Sequence, residues 1–395
     1  MERIGIYGGT FNPPHQGHIY AAQSAVYALR LDRLLLIPDR IAPHKVLPEG
    51  SPTPQQRLEM VRIAAKDAGE PRFQVSSMEL ERPGPSYTYQ TVAQLRQQYP
   101  DAQLYLLMGT DMFLSFYSWR NAQQILRDVV LGVFYRGDAG EVKKIRLQKE
   151  KMEAEGAKVE LVQNPVIPIS STQLRRLLIF RCEEQFLSQD VGYYIRQNGL
   201  YGTDQNYRNL PMDRLEKVVT GLMNPDRVAH VLGCRDTAVE LAKRWGADTT
   251  DAARAGLLHD ITKALDGQLQ LTLCSEYGIM LDNFSTQNPK TLHALTGSMV
   301  AQRIFGENEA VASAIHYHTT GKANMTLLEK IIYVADYMEP NRSFPGVEKL
   351  RHLAFTDLDA ALKLGLEMTL SVLTENGRAI APESREALDY LKLTL

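Results

Sequence analysis

The chain has 395 residues, 44% of them hydrophobic, which is enough for two domains that each bury a core of their own. Its 44 basic and 46 acidic residues give a formal net charge of −2, so there is no overall field to attract nucleic acid or an acidic membrane, and small-molecule partners are expected. Three scattered cysteines, and the lack of any apolar run near the ~18 residues of a membrane span, predict a cytoplasmic protein with free thiols, whose oligomeric state stays open.

Six short apolar runs alternate with amphipathic stretches over the first 200 residues. Helical periodicity marks the stretches 55–68 and 88–98. The alternation predicts an α/β fold with a doubly wound, Rossmann-like parallel sheet that binds ligands at the carboxyl ends of its strands. The runs are "RIGIYGG" (3–9), "RLLLIPD" (33–39), "FQVSSMEL" (73–80), "LYLLMG" (104–109), "VVLGVFYR" (129–136) and "KVELVQN" (158–164).

Strand patterns stop near residue 193, and the remainder shows only helical periodicity broken by glycine and proline. The stretch "LYGTDQNYRNLP" is polar, contains turn formers and lacks apolar periodicity. We therefore expect a first domain over residues 1–202, a linker over 203–212 and a second, all-α domain over 213–395.

The segment "GGTFNPPHQGH" follows the first predicted strand directly. Gly8 and Gly9 lack β-carbons, so backbone amides there can approach an anion, and the next helix points its N-terminus at the same strand end. His15 and His18 flank this entry and can donate hydrogen bonds to phosphate oxygens. A structural turn would account for any one of these residues, whereas the whole set predicts a phosphate site.

A second anion site is predicted at "ISSTQLRR", residues 169–176. This stretch places hydroxyl groups at a predicted helix N-terminus and a guanidinium in the first turn of the same helix, and all of them can bind an anion. The alternative interpretation is an ordinary capped helix without a ligand. The residues concerned are Ser170, Ser171, Thr172 and Arg175.

Both motifs resemble the nucleotidyltransferase superfamily, whose patterns are G-x-F-x-P-x-H-x-G-H and I-S-S-T-x-[IL]-R. The first pattern agrees at Gly9, Phe11, Pro13, His15, Gly17 and His18. The chain between the motifs is similar to the nicotinate-mononucleotide adenylyltransferases, and pantetheine-phosphate adenylyltransferases lack this set of segments. The segments are "APHK" (42–45), "RPGPSYTYQT" (82–91), "LLMGTDMFLSFYSW" (106–119) and "YRG" (135–137).

This resemblance implies transfer of the adenylyl group of ATP, bound with Mg²⁺, to nicotinate mononucleotide, giving nicotinate adenine dinucleotide and pyrophosphate. It implies that His18 contacts the α-phosphate, that His15 supports it and that Arg175 holds phosphates. Another pyridine nucleotide, such as nicotinamide mononucleotide, is the alternative acceptor. The further contacts implied are Tyr87 and Thr88 at the pyridine carboxylate, Trp119 on the ring, Gly109 and Asp111 at the adenosine ribose, and Lys45 and Arg136 at phosphates.

In the second half, five histidines and two aspartates lie in apolar helical contexts. The stretch "AGLLHDITKAL" (255–265) places His259 beside Asp260 on a predicted helix, where an ionised carboxylate is costly to bury without a cation. The side chains of adjacent residues on a helix point about 100° apart, so other helices must supply the remaining ligands around any ion that both side chains bind. One buried histidine is usually a core residue, whereas several on separate helices predict a metal cage.

This half resembles the HD metallohydrolase superfamily. The segments "LHALTG" (292–297) and "HYHTTG" (316–321) are similar to the branch that splits diadenosine tetraphosphate symmetrically into two ADP. The resemblance implies two metal ions, iron or alternatively manganese, that share a hydroxide. The implied ligands are His230, His259, Asp260 and Asp336 for the first ion, and Asp260, His293 and His318 for the second.

Several alternatives stay open on the sequence. His316 competes with His318, which the family pattern favours because it directly precedes "TTG". Lys263 and Arg342 are candidate clamps for the polyphosphate, and ordinary solvated cations are the alternative. Guanosine tetraphosphate or deoxynucleotides are alternative substrates, and a metal-dependent nucleotide sensor is the non-catalytic alternative.

Overall fold

The chain forms two compact units, Met1–Gln205 and Asn206–Leu395, and this division falls inside residues 203–212. The structure is a computed structural model that describes residues 1–135, 139–164, 167 and 169–394. Within these ranges no helix is long and apolar enough to cross a membrane. The three cysteines are buried, and no disulfide joins them.

A parallel sheet of six strands forms the centre of the first unit, which confirms the predicted α/β class. The strands are β1 (Arg3–Gly9), β2 (Arg33–Pro38), β3 (Phe73–Val75), β4 (Gln103–Gly109), β5 (Val129–Tyr135) and β6 (Lys158–Gln163). Their order in the sheet is β3-β2-β1-β4-β5-β6. The chain therefore reverses direction across the sheet between β1 and β4, and ligands of such sheets bind at the carboxyl ends of the strands at this switch point.

Nine helices are described around the sheet in the first unit. They are α1 (Gln16–Ala28), α2 (Pro54–Asp67), α3 (Met78–Glu81), α4 (Thr88–Gln98), α5 (Thr110–Leu114), α6 (Ala122–Asp128), α7 (Ala139–Ala154), α8 (Ser171–Phe180) and α9 (Gln189–Gln197). Short 3₁₀ turns cover Phe116–Ser118, Glu184–Phe186 and Leu200–Gly202.

The apolar run 73–80 is only partly a strand, which corrects the expectation from the sequence. Pairing stops after Val75, and the Ser77 carbonyl accepts hydrogen bonds from Leu80 and Glu81 to start α3. The Ser77 hydroxyl also donates to the Glu81 carboxylate over 2.6 Å. Serine side chains favour such local turns over continued strand pairing.

The second unit is helical throughout its described residues, as the sequence predicted. Its helices are α10 (Met212–Leu222), α11 (Pro225–Trp245), α12 (Thr249–Leu258), α13 (Gly267–Glu276), α14 (Asn283–Gln287), α15 (Leu292–Val300), α16 (Glu309–His316), α17 (Leu327–Met338), α18 (Val347–Thr356), α19 (Leu358–Glu375) and α20 (Pro382–Thr394). A 3₁₀ turn covers Pro289–Thr291, and a π-helical turn covers Ala301–Phe305.

His259 and Asp260 lie at the end of α12 rather than within a helix, which is a second correction. The helix ends at Leu258, and the Leu258 carbonyl accepts a hydrogen bond from the Ile261 amide three residues on. The next turn is equally tight, because the Asp260 carbonyl accepts from the Lys263 amide. This tightening changes the angle between adjacent side chains, so His259 and Asp260 are not separated by the angle of an ideal α-helix.

Candidate nucleotide site and metal centre

The turn after β1 is fixed by a buried arginine from α2. Arg57, only 1% exposed, donates through Nη1 to the Thr10 carbonyl over 2.7 Å and to Asp39 Oδ1 over 3.0 Å. Its Nη2 donates to the Asp39 carbonyl over 2.8 Å, and the Thr10 hydroxyl donates to Asp39 Oδ2 over 2.8 Å. The ion pair between Arg57 and Asp39 therefore holds the ends of β1 and β2 together. Removal of either partner would leave the other as a buried, unpaired charge.

The motif on α8 packs against the same turn. The Ser171 hydroxyl donates to the Pro13 carbonyl over 3.0 Å, and Arg175 Nη1 donates to the Asn12 carbonyl over 2.8 Å. The Tyr201 hydroxyl donates to Asn12 Oδ1 over 2.7 Å. Ser170 caps α8 by accepting from the Gln173 amide. The two motifs, more than 150 residues apart in sequence, thus form one structure.

His15 and His18 lie with their ring centres 3.7 Å apart at the start of α1. The His15 amide donates to His18 Nδ1 over 3.1 Å, so the proton of a neutral His18 ring is on Nε2, which can then donate to a ligand. Enclosure of the ring, together with the charge of Lys45, lowers the pKa of His18 to about 4. Burial, and then His18, hold the pKa of His15 well below its usual range. Both rings are therefore neutral at pH 7.

Two cavities that share Met112 open at the carboxyl ends of the strands. The first, of about 370 Å³, is lined by four of the residues expected to bind ATP: His15, His18, Gly109 and Asp111. The second, of about 550 Å³, is lined by Gly8, Gly9, Lys45, Tyr87, Thr88 and Trp119. The residues that the resemblance assigns to the pyridine nucleotide, Tyr87, Thr88 and Trp119, thus line one cavity, and those that it assigns to the adenosine ribose, Gly109 and Asp111, line the other.

Within the described part of the chain, the other residues that were expected at this site line neither cavity. Phe11 is buried, with its ring 5.1 Å from that of His18, and supports the histidine from behind. Ser170, Ser171, Thr172 and Arg175 hold the turn or the start of α8. Arg136 lies outside the described residues.

In the second unit, the six expected metal ligands converge from five parts of the chain. Three overlapping groups each have their ligand atoms within 4.8 Å of one another: His230 with His259 and Asp260, His259 with His318 and Asp336, and Asp260 with His293 and His318. All except Asp336 are buried, and its side chain is 16% exposed. His316 belongs to none of these groups; its ring stacks on Tyr317 at 4.4 Å.

Asp260 lies at the centre of this cluster of six side chains, which we call the cage. Its Oδ2 is 3.7 Å from His230 Nε2 and 3.5 Å from His259 Nε2. Its Oδ1 is 3.3 Å from His293 Nε2 and 3.6 Å from His318 Nε2. Each of the two carboxylate oxygens of Asp260 therefore faces one pair of imidazoles. Burial alone would raise the pKa of Asp260, but the imidazoles of His259, His293 and His318 around the carboxylate hold that pKa well below its usual range.

Each imidazole is oriented by its second ring nitrogen. The Nδ1 atoms of His259, His293 and His318 donate to carbonyls three residues earlier, over 2.7, 2.9 and 2.6 Å. His230 Nδ1 lies 3.1 Å from the carboxylate of Glu339, which is 1% exposed. In all four rings Nε2 is left to face the cage, an arrangement typical of histidine metal ligands.

The donor set fits a metal. His318 Nε2 is buried and has no hydrogen-bond partner within the described part of the chain, which an ion would satisfy. Burial lowers the pKa of His259 to about 4 and also lowers that of His293, so both rings are neutral and able to ligate. Nitrogen and carboxylate donors without thiolate suit iron, manganese or a similar ion.

A third cavity, of about 600 Å³, adjoins the cage. His318, Asp336 and Arg342 contribute to its wall, and Arg342 Nη2 donates to Asp336 Oδ1 over 2.7 Å. The rest of the wall is mainly aromatic and apolar, and includes Tyr333, Tyr337, Phe344, Met368 and Val372.

Comparison with known proteins agrees with this division. Residues 6–177 match the cytidylyltransferase-like family, and residues 227–341 match the HD domain. The "Probable nicotinate-nucleotide adenylyltransferase" of Geobacillus thermodenitrificans is 36% identical over 204 residues, which are 51% of this chain and 87% of that protein. The "Bis(5'-nucleosyl)-tetraphosphatase, symmetrical" of Bacillus subtilis is 40% identical over 166 residues, which are 42% of this chain and 89% of that protein.

The chain belongs to the cytidylyltransferase-like family in its first half and to the HD-domain family in its second. The resemblances seen in the sequence are thereby confirmed. A "Probable nicotinate-nucleotide adenylyltransferase/Ap4A hydrolase" of Mycoplasma pneumoniae is 29% identical over 374 residues, which are 93% of this chain and 99% of that protein. We therefore refer to a nucleotidyltransferase unit and an HD unit.

Sequence reasoning missed several side chains at both sites. In the nucleotidyltransferase unit these are Arg57, Asp39 and Tyr201, of which only Asp39 had a signal, because it ends the predicted strand 33–39. In the HD unit the missed side chains are Glu339 and Arg227. The guanidinium of Arg227 pairs with Asp260 Oδ2. Arg227 precedes His230 by three residues on α11, a spacing that places both on one helical face.

The lowered pKa of His18 predicts acid sensitivity of the nucleotidyltransferase unit. The pKa is about 4 in the folded chain against an ordinary 6.5, so the unfolded chain binds more protons between these values. The stabilisation is complete above pH 6.5 and is lost as the pH falls towards 4. Because His18 as a whole residue is only partly buried, its full pKa shift is discounted. We expect the free energy of unfolding to fall by roughly 1 kcal/mol more in the wild type than in His18→Asn between pH 7 and pH 5, measured by urea unfolding. Equal losses in the two proteins would contradict this.

Proposed function

We propose that the nucleotidyltransferase unit transfers the adenylyl group of ATP to nicotinate mononucleotide, and that the HD unit hydrolyses diadenosine tetraphosphate to two ADP. The observation that carries the first activity is the pair of cavities that meet at Met112, one with the histidine pair and one with Trp119 and Lys45. For the second activity it is the single Asp260 carboxylate between two pairs of imidazoles.

In the first reaction, the 5′-phosphate of nicotinate mononucleotide attacks the α-phosphorus of ATP in line. A new P–O bond forms as the bond to the α,β-bridging oxygen breaks, and pyrophosphate leaves with the electron pair. The attacking phosphate is already anionic, so no general base is needed, and Mg²⁺ bound with ATP screens the triphosphate. His18 Nε2 donates to the α-phosphate, where negative charge develops in the transition state.

The second cavity suits the pyridine nucleotide. Tyr87 is the N-cap of α4 and makes no side-chain cap, so the Thr88 amide at the start of the helix can donate to the pyridine carboxylate. Trp119, packed on Phe116 at a ring distance of 5.2 Å, offers a flat face to the ring. Lys45 and Arg120 add positive charge to the wall of this cavity. Arg136, outside the described residues, remains part of the proposal as a phosphate contact.

Substitution of Trp119 tests the pyridine pocket. Trp119→Ala should raise the KM for nicotinate mononucleotide about tenfold through the loss of stacking, while the KM for ATP changes less than about twofold. Trp119→Tyr keeps an aromatic face and serves as the matched control. Equal increases in both KM values would contradict the assignment. A wild type that prefers nicotinamide mononucleotide in the same assay would favour the alternative acceptor.

In the second reaction, water attacks a β-phosphorus of diadenosine tetraphosphate and the central P–O bond breaks. His230, His259, Asp260 and Asp336 would hold one ion, and Asp260, His293 and His318 the other; we propose iron, with manganese as the alternative. When bound, the two ions would supply hydroxide at neutral pH and offset charge on the phosphoryl group. Arg227, Lys263 and Arg342 carry positive charge around the cage and would hold the polyphosphate.

The aromatic cavity beside the cage fits one nucleoside. A tyrosine or phenylalanine face can stack on adenine, and the walls supply Tyr337 and Phe344 with their ring centres 5.3 Å apart. Arg342 lies where this cavity meets the Asp336 side of the cage, so a nucleoside there would extend its phosphates towards the proposed ions.

The deciding experiment uses the full chain, stripped with a chelator and reloaded with Fe²⁺ or Mn²⁺. Diadenosine tetraphosphate should then give ADP as the sole nucleotide product, and guanosine tetraphosphate should be cleaved far more slowly. ATP plus AMP as products would overturn the symmetrical cleavage. Metal binding without any hydrolysis would favour the nucleotide sensor.

A further inference from the structure

One side chain outside the cage holds one of its imidazoles. His230 Nδ1 lies 3.1 Å from Oε1 of the buried Glu339, whereas the other three histidines of the cage donate to backbone carbonyls. A carboxylate bears a full negative charge, so it is a stronger acceptor than a carbonyl and makes the opposite ring nitrogen a better donor to a metal ion. Of the four imidazoles, His230 is therefore the one whose strength as a ligand depends on a side chain.

The second oxygen of Glu339 is held by the turn that follows α17. Oε2 accepts from the Asn341 backbone amide over 2.7 Å and from Asn341 Nδ2 over 2.8 Å. Asn341 Nδ2 also donates to the Ala229 carbonyl on α11 over 3.0 Å, directly before His230. The Glu339 carbonyl accepts from Arg351 Nη2 over 3.0 Å. The carboxylate can therefore turn away from the His230 ring only by breaking several hydrogen bonds.

A glycine on α11 makes room for this carboxylate. Gly233 lies three residues after His230 on the same helix. A β-carbon at Gly233 would lie 2.5 Å from Glu339 Oε2, which is too close for a real contact. Glycine weakens a helix interior relative to alanine, and here it lets the carboxylate approach the helix. The glycine and the three hydrogen bonds are independent signs of a seat for the Glu339 carboxylate behind His230.

We propose that Glu339 is a positioning residue that sets the affinity of the cage for its first metal ion. The inference rests on the proposed metal centre, in which His230 is a ligand of the first ion and not of the second. Glu339 fixes the His230 ring with Nε2 towards the first ion and places a negative charge behind that ring. The first ion should therefore bind more tightly than the second, and the two ions should enter in that order.

Counting bound Mn²⁺ tests this without any activity assay. The chelator-stripped full chain is titrated with Mn²⁺, and the free ion is followed by electron paramagnetic resonance. The wild type should bind two ions in distinct steps, and His293→Ala should keep only the tighter step. Glu339→Gln keeps the shape of the side chain and removes its charge. It should weaken the tighter step about tenfold to a hundredfold, in the wild-type background and in His293→Ala, and change the weaker step by less than about threefold.

Gly233→Ala tests the position of the carboxylate separately from its charge. The substitution keeps Glu339 but forces its carboxylate away from α11, so it should weaken the same step of Mn²⁺ binding. Gly221→Ala is the matched control, because a β-carbon at Gly221 on α10 would meet no atom of the described residues within 4 Å. This control should bind both ions as the wild type does.

Glu329→Gln is the control for the loss of a buried charge. Glu329 is a buried residue of α17 that bonds Ser313 and Lys322 rather than an imidazole of the cage. This variant should leave both binding steps within about threefold of the wild type, and thermal unfolding records the stability of each variant.

An unchanged tighter step in Glu339→Gln, or equal weakening in Glu329→Gln, would overturn the inference and leave the proposed hydrolysis standing. A wild type that binds a single ion would overturn the proposed pair of ions. Weakening of that single step in Glu339→Gln would still support the role of Glu339, so the two failures can be told apart.

Discussion

Asp260→Asn should abolish hydrolysis of diadenosine tetraphosphate, with turnover lowered by at least about 10³-fold. The carboxylate has one oxygen near His230 and His259 and the other near His293 and His318, so both proposed ions depend on it. An amide has no negative charge, and its nitrogen cannot ligate. The variant should also bind less than one Mn²⁺ per chain under conditions in which the wild type binds two.

Asp266→Asn is the control for this substitution. Asp266 caps α13 by accepting from the Leu269 amide, a role that asparagine also performs. Its hydrolysis and metal content should match those of the wild type. If Asp260→Asn kept both, the cage would not be the hydrolytic centre.

His18→Asn should lower kcat for adenylyl transfer by about 10²- to 10³-fold. The asparagine oxygen can still accept from the His15 amide, as His18 Nδ1 does over 3.1 Å, while the Nε2–H donor is lost. The effect should fall on kcat more than on either KM, because the donor is aimed at charge that develops in the transition state. Steady-state kinetics with both substrates varied gives the separation.

The two substitutions are also controls for each other. His18→Asn should leave hydrolysis unchanged and Asp260→Asn should leave adenylyl transfer unchanged, since each site is built from residues of its own unit. A loss of both activities in either variant would show that the units are coupled, against the independence that their chemistry leads us to expect.

Much of the nucleotidyltransferase unit was predictable because its signals are local. Apolar runs with few charges form parallel strands, and all six did so, although the run at residue 73 continued as α3 once its serines bonded locally. The turn from Gly8 to His18 was recognisable because glycines, prolines and histidines recur there in a spacing of a few residues. Arg57 carries no such signal: it is an arginine in an amphipathic helix, and it becomes special only by packing beneath the ends of two strands.

The sequence by itself determined the two fold classes and the residue types that could gather anions or metal ions, because these depend on periodicity and side-chain chemistry. Only the tertiary structure decided how those residues meet. It placed His318, rather than His316, next to Asp260, because α16 ends at His316 and the following turn brings His318 round to bond the Ile315 carbonyl. It also set Glu339 behind His230 and Lys263 against His293. Such contacts join atoms that are 30 to more than 100 residues apart in the chain, and their geometry follows from the packing of whole helices.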